Sequence, residues 1–84
     1  MNDEIQSVVV GKEFDDKLKD SIRIVLDRLG AVCVDKSWGL GGSQEYEKTV
    51  FNVGGEQITI ESETYVGITI SGPRVLVEKI VLGL

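Results

Sequence analysis

The sequence has no histidine, one cysteine and one proline. Without an imidazole there is no histidine base near neutral pH, which excludes Ser-His-Asp and Cys-His nucleophilic systems. Histidine-containing zinc sites are excluded too, and Cys33 alone cannot furnish a site of four thiolates. An internal disulfide is impossible, which suits a reducing compartment. Basic charge is scarce: nine Lys and Arg stand against fourteen Asp and Glu, for a net charge of −5. Phosphate backbones are gripped by clustered Lys and Arg. No such run exists here, so nucleic acid is not an expected partner. Anionic membrane surfaces are disfavoured for the same reason.

Long apolar runs are also missing, and none reaches the roughly 18 residues of a membrane span. The acidic start Met1-Asn2-Asp3-Glu4 lacks the basic opening of a secretory signal. The expected location is therefore the cytoplasm. No catalytic residue, metal or cofactor is assigned, and the chain is not expected to be an enzyme.

What is present fits one small folded domain. Eighty-four residues with 42% hydrophobic and 27% charged content fall in the globular range. Residues 12–29 have the period of an amphipathic helix, with Phe14, Leu18, Ile22, Val25 and Leu29 on one face. Acidic Glu13, Asp15 and Asp16 open it, Arg28 closes it, and Gly30 follows as a stop. Residues 1–11 are open between a short edge strand and a packed lead-in to that helix.

Residues 31–38 predict a strand in which Val32, Val34 and Trp38 share a parity, followed by a flexible glycine connection over 39–43. Residues 45–53 and 56–62 predict a hairpin closed by Gly54-Gly55. A two-residue turn sets Val53 opposite Glu56. One face then pairs Phe51 with Ile58 and Thr49 with Ile60. The other pairs Lys48 with Glu61 and Tyr46 with Glu63. A slip of one residue would exchange the faces, so the sorting selects this register. Residues 66–71 predict the next strand. A loop of Glu63-Thr64-Tyr65 pairs Ile60 with Ile68 and Ile58 with Ile70. A second helix is expected to begin with Pro73 at its first position, capped by Ser71 or Gly72. The expected fold is α+β: helix, four-stranded antiparallel meander, helix, with a possible N-terminal strand and both helices on one face of the sheet.

Several residues are candidates for function. Trp38 beside the glycine connection is expected as a core anchor, with ligand or partner contact as its alternative. Leu40, Tyr46, Glu61 and Glu63 complete that candidate contact region. The glycine stretch itself reads as a hairpin loop, because a phosphate cradle needs a following helix N-terminus. From residue 44 to 70 five glutamates face one lysine; a solvated acidic sheet face is expected. Cys33 is expected as a small buried hydrophobe. The last helix is apolar nearly all round, so Val77, Val81, Leu82 and Leu84 are candidates for an oligomer interface.

These features lead to a protein-interaction domain that self-associates, as a dimer. The alternatives are an acidic inhibitor or immunity-type protein masking a basic partner such as a nuclease, and a small-ligand domain using the Trp38 region.

Overall fold

The computed structural model describes residues 4–12, 15–41, 44–64 and 66–84. Five strands and two helices follow in the order β1 (Ile5–Gly11), α1 (Asp16–Arg28), β2 (Val32–Gly41), β3 (Gln44–Val53), β4 (Glu56–Glu63), β5 (Gly67–Pro73) and α2 (Arg74–Leu82). All strands belong to one antiparallel sheet in the spatial order β1-β5-β4-β3-β2. The α+β class holds, but the sheet has five strands, not four. The N-terminal segment is a full strand and precedes the first helix. Val8 and Val10 on β1 pack against the core, so pairing with β5 also buries apolar side chains.

Helix α1 is shorter than the periodicity predicts, because Asp15 is its cap. The Asp15 carboxylate accepts a 3.0 Å hydrogen bond from the Leu18 N–H, satisfying one of the helix's free amides. Phe14 and Glu13 lie outside the described residues. At the other end the Ala31 N–H donates to the Leu26 carbonyl and the Gly30 N–H to that of Asp27, with Gly30 at φ 75°. This is a Schellman ending, and it turns the chain sharply into β2.

The core forms on one sheet face. Ile22, Val25 and Leu26 of α1 and Leu76, Val77 and Ile80 of α2 cluster with Val53, Ile58, Ile68 and Ile70. The four strand residues share one parity in the ladders. The β3–β4 register is the predicted one throughout, with Phe51 opposite Ile58 and Tyr46 opposite Glu63.

The β4–β5 register differs. Ile60 pairs with Ile70 and Ser62 with Ile68, a displacement of two residues from the prediction. The connection still has three residues, but it is 64–66, one position later, and Val66 is an exposed turn residue. A shift of two preserves parity, so hydrophobic sorting could not detect it. Gly67 decides it. Its φ is 110°, and a Cβ there would run into the Gly11 carbonyl of β1. The turn must therefore place a glycine where β1 crosses.

The end of β5 also departs from expectation. Pro73 is the last strand residue and the cap of α2, without a side-chain cap bond. The Arg74 N–H instead donates to the Glu4 carbonyl at 2.8 Å. Ser71 caps nothing; its hydroxyl bonds that of Ser7 on β1 at 2.8 Å. No helix among the described residues is long and apolar enough to cross a membrane.

Candidate functional site

A β-bulge at Val34 controls the layout of β2. Cys33 pairs with Phe51, but the next pair joins Asp35 to Val50. The extra residue exchanges the faces along the strand. Val32, opposite Asn52, is therefore on the outer face of the sheet. Trp38, opposite Glu47, is on the face that carries the helices. The shared parity predicted for Val32, Val34 and Trp38 does not hold.

Trp38 is not a core anchor. It is 71% exposed, and Val32 and Val34 are exposed as well. β2 is the last strand of the sheet, so among the described residues no further strand pairs with this edge, which carries three large exposed hydrophobic side chains. Cys33, predicted to be buried, is exposed and has a free thiol; its thiol lies 3.7 Å from the Asp35 carbonyl, across the bulge. The glycine connection is likewise reduced, since Gly39, Leu40 and Gly41 pair with Tyr46, Glu45 and Gln44 in the ladder. Gly42 and Ser43 lie outside the described residues.

The structure divides the predicted contact residues. Tyr46, Glu61 and Glu63 meet on the outer face, where the Tyr46 hydroxyl donates to Glu61 Oε2 at 2.8 Å and Glu63 stands opposite Tyr46. That hydrogen bond, then burial and the charges of Glu61 and Glu63, hold the phenol above its ordinary pKa. Glu47 belongs to the opposite face with Trp38. The glutamates therefore do not make one acidic surface. Lys48, two residues after Tyr46 and on the same face, is directly opposite Glu61.

The proposed oligomer residues divide too. Val77 is fully buried in the core, because β1 provides a further apolar wall against α2 that the four-strand scheme lacked. Val81 is half-buried against the same cluster. Leu82 and Leu84 remain exposed.

The sequence did not indicate a cleft of about 310 Å³ between α1 and the helix-side face of β2, β3, β4 and β5. Its floor contains Leu26, Phe51, Ile60 and Ile68. Lys19 and Arg23 of α1 and Lys36 of β2 also line it, together with Cys33 and Glu47. Lys19 and Arg23 are four residues apart, which places them on one helical side. That spacing was the available signal. The third cation, Lys36, reaches this face only because of the bulge. Compared with protein-family models, curated proteins and solved structures, the chain matches none.

Proposed function

We propose that this chain is a non-enzymatic protein-interaction domain that self-associates through the free edge of β2. The carrying observation is the 71% exposure of Trp38 on the last strand of the sheet. Tryptophan is among the residues most enriched at interface hot spots. An open edge offers backbone donors and acceptors to an added strand. The bulge at Val34 and the adjacent Asp35 blunt the first part of the edge, as edge strands commonly are. The regular segment from Lys36 to Gly41 is then the pairing surface. Antiparallel pairing about a twofold axis through Trp38 would set the two indoles opposite each other, a contact worth about 0.5–1.5 kcal/mol beyond area burial. This reading replaces the last helix as the main interface, because Val77 is committed to the core. Cytoplasmic action accords with the single free thiol.

Light scattering with size exclusion over a concentration series tests the proposal. A concentration-dependent dimer that Trp38→Glu converts to monomer is expected. A 9.2 kDa species at every concentration would overturn it.

A second reading, an acidic inhibitor of a basic protein such as a nuclease, is favoured by the Tyr46–Glu61 hydrogen bond. A carboxylate held in place is suited to a guanidinium. Glu61→Lys with Glu63→Lys should then remove inhibition of the basic partner; unchanged inhibition would count against it.

A further inference from the structure

We infer that the cleft beneath α1 is a binding site for a small organic anion with an apolar body, an aliphatic carboxylate being its simplest form. The inference goes beyond self-association and stands whether or not the β2 edge pairs.

Three observations converge. The cleft volume of about 310 Å³ lies at the lower end of the roughly 300–1,000 Å³ typical of small-molecule sites. Its floor is apolar, and Ile68 and Leu26 there are essentially inaccessible to water. Its charge opposes that of the molecule: Lys19, Arg23 and Lys36 against Glu47 alone, in a chain whose net charge is −5. The cations come from two elements that line the cleft, α1 and β2. A carboxylate at the mouth would meet positive charge from both walls while its apolar part lay over Phe51 and Ile60. Among the described residues Arg23 is engaged in an exposed 3.4 Å ion pair with Asp20 of its own helix. Such a pair is worth little and yields readily to a better-placed anion. A cationic ligand finds one carboxylate and three repelling groups.

Cys33 supplies a local readout, since it lines the cleft, is exposed and is the sole cysteine. Alkylation of Cys33 by neutral iodoacetamide, followed by intact-mass spectrometry, would be measured with decanoate, decanol and decyltrimethylammonium, each below its micelle threshold. Decanoate is expected to slow alkylation about fivefold at several times its Kd, as occupancy requires. Decyltrimethylammonium should leave the rate unchanged, and decanol should protect less than decanoate. Arg23→Glu with Lys36→Glu, both exposed positions, should reverse the order of the two ions while circular dichroism stays unchanged. Equal protection by all three amphiphiles, protection by none, or an unreversed order in the folded variant would overturn the assignment. Displacement of decanoate by a short acidic amphipathic peptide at lower concentration would also overturn it, in favour of a protein partner.

Discussion

The hydroxyl of Tyr46 and the carboxylate of Glu61 are joined across β3 and β4 by a 2.8 Å hydrogen bond on the face of the sheet that carries no helix. The bond exists only while the phenol keeps its proton. The folded protein therefore holds that proton more tightly than the unfolded chain does, and the Tyr46 pKa is raised above 10.0. The stabilisation is complete below the unfolded value and is lost as pH rises through the higher folded value. Denaturant titrations at neutral pH and above pH 10 should show the wild type losing more stability than Tyr46→Phe. At neutral pH the variant should be less stable by about 0.5–1.5 kcal/mol, the net value of one such bond. Parallel pH dependence in the two proteins would show that the bond is not formed in solution.

Two residues of the last helix should respond very differently to substitution. Val77 is fully buried and Leu82 is 86% exposed. Val77→Ala removes packed methyl groups and should cost about 2 kcal/mol. Leu82→Ser should change stability by no more than about 0.5 kcal/mol. Thermal melts of the two variants check this, and equal effects would contradict the assignment of Val77 to the core.

Gly67 should tolerate no side chain. Its φ of 110° and the Gly11 carbonyl beside it combine backbone strain with a steric conflict against another strand. Gly67→Ala should destabilise by about 2 kcal/mol or more. Hydrogen exchange should show the loss of protection concentrated in β1, since that strand must move aside. A uniform loss across the sheet would argue against a local conflict.

Trp38 should behave as a surface chromophore in the monomer. Its emission should be red-shifted and readily quenched by acrylamide, and Trp38→Ala should leave stability within about 0.5 kcal/mol. As concentration rises, quenching should weaken if the edge pairs. Shielded emission in dilute solution would place the indole elsewhere.

The β3–β4 hairpin was fully legible because two apolar residues on each strand fix its parity and Gly54-Gly55 fixes its turn. Helix α1 was legible apart from its first turn, where Asp15 caps from a position the periodicity had included. The β4–β5 register was not, because alternation determines a strand only modulo two and the geometry of Gly67 depends on β1. The candidate site was less legible. Trp38 was expected in the core because tryptophan usually is, and its shared parity with Val32 and Val34 assumed an unbroken strand. A bulge leaves no mark in a run such as Val32-Cys33-Val34-Asp35, where each residue is compatible with either side. The cations of the cleft were not legible as a group, because Lys36 joins Lys19 and Arg23 on the helix side only through the bulge.

The bulge also means that β2 is positioned from two directions. Its beginning is set by the turn out of α1, and its remainder by the ladder with β3; Val34 absorbs the difference between them. Substitutions at Val34 leave this arrangement in place. Losing the residue altogether would close the ladder instead, because Cys33 opposite Phe51 and Asp35 opposite Val50 would then be consecutive pairs and neither would have to break. A deletion of three nucleotides in the coding sequence would thus straighten the edge while leaving the thiol and the indole opposite their present partners.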